Sequence, residues 1–273
     1  DLHSFPTRRS SDLRTYWIEA KKAKKEKIIL TRVKDAALAQ DYLHFFDFCD
    51  EMLQMQITDI LRKNHVDYFW YGGFDDATRK MLCIVPDYLS ETIREPEALE
   101  WPIMAARFSM DFEYNHRHVL GELMSLGIAR NCIGDIHVSG DETQVIFHEK
   151  IYLFLRNNFT RIRGKRIAPS FYPSPEIRAY APKFEEKIIT VSSPRIDAVI
   201  DRIWGISRQD AAEAIHQKRL RVNYREIRKK DLTVKPGDII SFRGKGKAKV
   251  SDFVGVSKKG RQRIKIEIGR AHV

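Results

Sequence analysis

Cysteine is scarce in this chain. Its 273 residues hold three, Cys49, Cys83 and Cys132. They are odd in number, far apart and form no CxxC pair, so they encode neither a disulfide framework nor a zinc site. A reducing, cytoplasmic compartment is expected. No run of eighteen apolar residues occurs, so no transmembrane helix and no membrane partner are expected. No secretion signal is visible near Arg14. Neither GxGxxG nor GxxxxGK[ST] is present. The Gly72-Gly73 pair and Gly127 are therefore read as turns, and no cofactor is expected.

Both ends resemble translated sequencing adapters. Residues 5–13, FPTRRSSDL, are encoded in order by TTCCCTACACGACGCTCTTCCGATCT. Residues 268–273, IGRAHV, follow from AGATCGGAAGAGCACACGTC, whose first two bases complete the codon of Glu267. Residues 1–13 and 267–273 are set aside on this basis. The remaining length of roughly 250 residues suits two small domains with sizeable cores.

Charge is plentiful but uneven. The formal net charge is +11. Residues 190–266 carry 20 Lys and Arg against 8 Asp and Glu, an excess of 12. Residues 14–189 carry 25 against 26. A solubility charge would be spread along the chain, whereas a localised excess marks a polyanion-binding module.

Apolar periodicity predicts the elements. Residues 35–64, with Leu38, Tyr42, Phe45, Phe46, Cys49, Leu53, Ile57 and Leu61 at helical spacing, read as a long helical region of one or two helices. Strands are expected over 66–74, 80–86 and 102–112, a helix over 116–126, a hairpin over 131–147, a helix over 149–157 and a strand over 161–169. The 21–27 run KKAKKEK reads as an exposed helix face. Helices and strands alternate, so 14–170 is an α/β or α+β unit of RRM-like or ferredoxin-like type. Residues 171–189, rich in proline, are the expected linker.

The basic segment is patterned like a small folded module. Ile196, Val199, Ile200 and Ile203 form one helical stripe. Ser207, with Asp210 three residues on, reads as an N-cap with an acid in the first turn. Leu220 and Val222 alternate with Arg219 and Arg221, which turns the arginines outward. Pro236-Gly237-Asp238 is a turn before Ile239, Ile240 and Phe242.

These positions resemble the S4 RNA-binding domain: Arg195-Ile-Asp197, Ser207-Arg208, Ala211, Ile215, Val222-Asn223 and Gly237-Asp238-x-Ile240. Two positions depart from it. Lys218 and Tyr224 stand where the family usually has glycine, and Lys218 predicts a different loop path. Upstream, WYGGFDDATRKMLCIVPDY at 70–88 and HRHVLGELMSLGIARNCIGDIHVSGD at 116–141 resemble the bacterial YlmH family. The resemblance implies an α+β architecture, with an RNA-binding unit at 14–170 followed by an S4 domain at 190–266. It also implies a non-enzymatic role in ribosome-associated quality control, with ribosomal RNA, tRNA and the large subunit as partners.

The expected RNA-contacting residues are Arg195, Arg208, Lys218, Arg219, Arg221, Asn223, Arg228, Lys229 and Lys230. Arg161, Arg163, Lys165 and Arg166 would extend that surface or serve as a charged, solvated edge; both readings stay open. His116-Arg117-His118 has no third ligand at metal spacing and is read as a helix start. Phe69-Trp70-Tyr71 is a stacking platform or core, with core favoured because neighbours on a strand face opposite ways. The rival class is an RNA-modifying enzyme, a pseudouridine synthase or ribosomal RNA methyltransferase with an S4 targeting domain. No catalytic motif, cofactor loop or metal cluster for such chemistry is found between 14 and 189. Asp197 is better explained by pairing with Arg195 or by capping. A monomer is expected.

Overall fold

Aromatic side chains fit a pleated surface, and the run His44-Phe-Phe-Asp-Phe-Cys49 is a strand, not the middle of the long helical region that spacing predicts over 35–64. In the computed structural model, which describes residues 10–140, 142–179, 184–227 and 229–270, helix α1 (Ser10–Ala39) ends before strand β1 (His44–Cys49). Asp50 then starts a new helix, α2 (Glu51–Lys63), its carboxylate accepting from the Leu53 N–H at 3.0 Å. The cap satisfies an otherwise orphaned donor and separates what periodicity alone had merged.

The chain divides into two compact units. The first, Asp1–Gly72 with Ala77–Pro102, adds β2 (Asp67–Tyr71) and β3 (Lys80–Val85). Its antiparallel sheet has the order β1-β3-β2. Val33, Phe46, Leu53, Ile57, Leu61, Leu82 and Ile84 form its core. Trp70 packs onto that core and donates its indole N–H to Thr58 at 3.0 Å, while Tyr71 lies beside Trp101.

The second unit comprises Gly73–Asp76 and Ile103–Val273 and holds two separate cores. Its central module runs β4 (Ile103–Ser109), α3 (His116–Ser125), β5 (Ile133–Ser139), β6 (Glu142–His148), α4 (Tyr152–Asn158), β7 (Arg161–Ile162), β8 (Lys165–Arg166) and β9 (Ser170–Pro173). The four long strands lie antiparallel in the order β5-β6-β4-β9. With α3 and α4 this is the ferredoxin-like βαββαβ arrangement. The helices cover one face, around Phe108, Val119, Leu123, Val145, Phe147 and Leu155.

The expected single strand over 161–169 is instead a hairpin. Arg163 and Gly164 both take positive φ, 51° and 78°, as a tight two-residue turn between twisted strands requires. The turn breaks the alternation on which a single strand rested.

The other face of the β5-β6-β4-β9 sheet is also buried. Arg107 donates to Gln144 at 3.0 Å and to the Glu176 carbonyl, and its guanidinium lies 3.9 Å from the Tyr172 ring centroid. Gln144 exchanges hydrogen bonds with the Arg178 backbone at 3.0 and 3.2 Å. Phe74 meets His137 edge-on. Gly73 takes φ +95°, which strains any residue with a side chain, so this crossing favours glycine. RNA-binding sheets of this topology leave that face open for base stacking; here chain covers it.

The last module contains β10 (Phe184–Val191), α5 (Ile196–Trp204), α6 (Arg208–His216), β11 (Leu220–Val222), β12 (Arg225–Glu226), β13 (Ile239–Phe242), β14 (Gly246–Val256) and β15 (Gln262–Arg270). One antiparallel sheet, β10-β15-β14-β13-β11-β12, backs both helices. Val199, Ile200, Ala211, Leu220, Val222, Ile240, Phe242, Val250 and Ile264 are among its buried residues. Within the proline-rich 171–189 stretch, β9 pairs with β4 and β10 pairs with β15; residues 180–183 are outside the described ones. Strand β15 continues into the tail set aside as adapter, with Ile268 opposite Ala248, and α1 begins at Ser10. All strand pairings among the described residues are antiparallel, which makes the fold α+β.

Candidate nucleic-acid interface

The site is built on the two short helices of the last module. Ser207 caps α6 in a reciprocal capping box with Asp210, which fixes where that helix starts. At its other end Lys218 adopts φ +55°. Its N–H reaches the Ile215 carbonyl at 3.0 Å, and the Arg219 N–H reaches Ala214 at 2.8 Å. This is the glycine-type helix termination made by a lysine. The different loop path expected for Lys218 is thus not taken: the two hydrogen bonds hold the strained conformation.

Arg195 is placed from the opposite side. It is the N-cap residue of α5, and its segment pairs with 232–234 through Ile196 N–H to Leu232 and Val234 N–H to Pro194, both 2.8 Å. Its guanidinium grips Asp197 with two hydrogen bonds, 3.1 and 3.0 Å. Asp197 is buried and also accepts from the Ala198 N–H at 3.0 Å. Pairing with Arg195 is thus the role the structure gives Asp197, and α5 starts without a side-chain cap. The hydrogen bonds Arg195 donates to Asp197, then the charge of that carboxylate, raise the Arg195 pKa above its usual value. The guanidinium is locked in plane, and its remaining N–H groups stay free to meet an anion.

Between these elements lies a cleft of about 650 Å³. Arg195, His216, Lys218, Lys229 and Lys230 supply its basic lining, Ile215 and Ile227 its apolar lining, and Glu226 and Asp231 its acids. Glu226 sits 3.9 Å from Lys218 and 3.8 Å from Arg221. Arg221 points outward from β11 beside the cleft, as the alternation predicts. Basic groups around a concavity with an apolar floor suit the phosphate backbone and sugar edges of RNA.

The other expected residues are placed differently. Arg219 donates to the Arg243 carbonyl at 3.2 Å and lies 5.4 Å from the Phe242 ring centroid, so it packs on the module's edge and does not line the cleft. Asn223 braces a turn: its amide donates to Asp238 at 2.8 Å and its oxygen accepts from the Ile239 N–H at 2.9 Å. Arg208 opens α6, but its side chain is outside the described atoms, as is the whole of Arg228. His216 lines the cleft and was missed, because a lone histidine near a helix end carries no pattern. Tyr224 lies under the Lys247 ammonium, 5.6 Å from its ring centroid. Among alternative sites, His118 completes a capping box with Asn115. No group of three or more His, Cys, Asp or Glu placed for a metal occurs among the described residues. Their longest apolar helices are too short or too polar to cross a membrane.

Residues 97–170 match the family model described as "Putative RNA-binding domain in YlmH". The chain is 27% identical over 224 residues to the "Ribosome-associated protein quality control protein P2" of Bacillus subtilis (strain 168), covering 81% of this chain and 85% of that protein. The solved "Cell division protein ylmH from Streptococcus pneumoniae" is 18% identical, with 64% of this chain and 98% of that one covered and a TM-score of 0.44. The two sequence matches support the resemblance read from 70–88 and 116–141.

Proposed function

We propose that this chain is a non-enzymatic RNA-binding protein of the ribosome, and that its basic cleft holds structured ribosomal RNA or tRNA on the large subunit. The observation that carries the reading is the cleft itself. It gathers Arg195, Lys218, Lys229 and Lys230 in the only third of the sequence with a net positive charge. The RNA-binding family match in the central module and the ribosome-associated relative support the same conclusion. A role in ribosome-associated quality control, an S4 identity for 190–266 and a cytoplasmic location follow from the resemblance. Binding alone requires no cofactor.

Co-sedimentation with ribosomal subunits tests the proposal. The parent chain is expected to pellet with the large subunit. A Lys218→Ala, Lys229→Ala, Lys230→Ala variant is expected to remain in the supernatant while unfolding at about the parent temperature. Equal sedimentation of both proteins would remove the cleft from the interface.

A further inference from the structure

We infer that the β7–β8 hairpin of the central module is a second phosphate-binding surface for RNA, separate from the cleft. The inference rests on the RNA-binding reading above and narrows it to one hairpin inside the matched segment 97–170, which the match does not single out.

The first observation is a like-charge pair. Arg161 stands directly opposite Arg166 across the two strands, and both are exposed. Like charges directly opposite one another destabilise a strand pair. Arg163 occupies the turn between them in the left-handed region, at φ +51°. Residues 160–169 read TRIRGKRIAP and contain no acid. Arg161, Arg163 and Arg166 have no ion pair among the described residues. A hairpin that only needed solubility would place acids opposite its bases.

The second observation is rigidity. Ile162 is fully buried and Ile167 nearly so, both in the core under α3 and α4. The Ile167 N–H closes onto the Thr160 carbonyl at 2.9 Å. Lys165 is drawn over the Phe112 ring at 4.3 Å, which leaves the three arginines as the free cations of the hairpin. The backbone therefore fixes the positions from which three exposed arginines project, on two paired strands and the turn between them. Planar guanidinium forks presented from one small hairpin suit phosphate groups, each bound by paired N–H donors.

The third observation is the covered sheet. The face on which modules of this topology stack bases is closed by 73–76 and 174–178. RNA contact by this module therefore has to use another surface. The hairpin is a surface whose three arginines form no ion pair among the described residues.

The test uses the full chain and a labelled stem–loop RNA, with affinity measured across a salt series. The Arg161→Ala, Arg163→Ala, Arg166→Ala variant is expected to bind on the order of tenfold or more weakly. Its log K against log salt should be shallower by about 2 to 3 than the parent's. Arg166→Glu is the second variant. It replaces repulsion with an opposite-charge cross-strand pair, so it should raise Tm while lowering affinity. A merely structural hairpin would not trade the two. Unchanged affinity and slope in the triple variant, with the cleft variant impaired, would overturn this inference and leave the cleft reading standing. A lower Tm for Arg166→Glu would also overturn it. A parent chain that binds no RNA would end both.

Discussion

Lys218 joins helix termination and the charge of the cleft in one residue, and substituting it separates the two. It occupies the left-handed position after α6, where an L-residue is strained by about 1–2 kcal/mol. Glycine relieves that strain but gives back about 0.4–1 kcal/mol through its freer unfolded chain. The ion pair lost with the lysine spans 3.9 Å between groups 70% and 43% exposed, so it contributes little to the balance. Lys218→Gly should therefore be neutral to stabilising by about 1 kcal/mol. Lys218→Ala keeps the strain and loses the same charge. The two variants should differ by about 1 kcal/mol in glycine's favour, a Tm gap of roughly 2–4 °C for a unit of this size. Their RNA affinities should fall equally, because both remove the same cleft cation. Thermal denaturation with a parallel RNA-binding titration reads both quantities. A glycine variant less stable than the alanine variant would refute the strain argument. Parent-like affinity in both would refute the cleft assignment of Lys218.

Further expectations concern other residues. Arg221→Ala and Arg208→Ala should each weaken RNA binding by about 1.5–3 kcal/mol with Tm preserved, as loss of a charge-assisted contact predicts; parent-like binding in both would remove them from the interface. Ile200→Ala, at a fully buried position, should cost about 2–5 kcal/mol of stability and lower Tm before it affects binding. Burial pushes the Cys49 and Cys83 thiols up to about 12, so both stay protonated near neutral pH. They should resist alkylation until the first unit unfolds, and rapid labelling of the native chain would contradict their burial.

The sequence was most readable where several local signals agree. In 193–250 the capping pair Ser207 and Asp210, the stripe of Ile196, Val199, Ile200 and Ile203, and the alternation around Arg221 all point to one local structure, and that structure is present. Periodicity failed at 35–64, because Phe45 and Phe46 fit a helical stripe and a strand equally well; only the Asp50 cap distinguishes them. It failed again at 161–169, where a turn with a non-glycine residue at positive φ left no glycine-pair signal. The cleft was half legible. Spacing turned only Arg219 and Arg221 outward; the S4 resemblance and the local excess of basic residues marked Arg195, Lys218, Lys229 and Lys230 as candidates. Whether a charged side chain then faces a shared concavity depends on pairing partners distant in sequence. Arg219 reaches back to Arg243, and Asn223 is consumed by Asp238 and Ile239. Nothing near either residue announces those partners. The covered face of the central sheet was hidden for the same reason, since Arg107 and Glu176 meet only after folding.

The central claim, that RNA occupies the cleft beside α6, is tested most directly by site-specific crosslinking. A photoreactive amino acid at His216, exposed and lining the cleft, is introduced into the full chain, irradiated with ribosomes, and the attached RNA is sequenced. The account predicts crosslinks to defined ribosomal RNA or tRNA segments that disappear in the Lys218→Ala, Lys229→Ala, Lys230→Ala background. Absence of RNA crosslinks from His216, while the same probe at Glu100 in the first unit yields them, would contradict it.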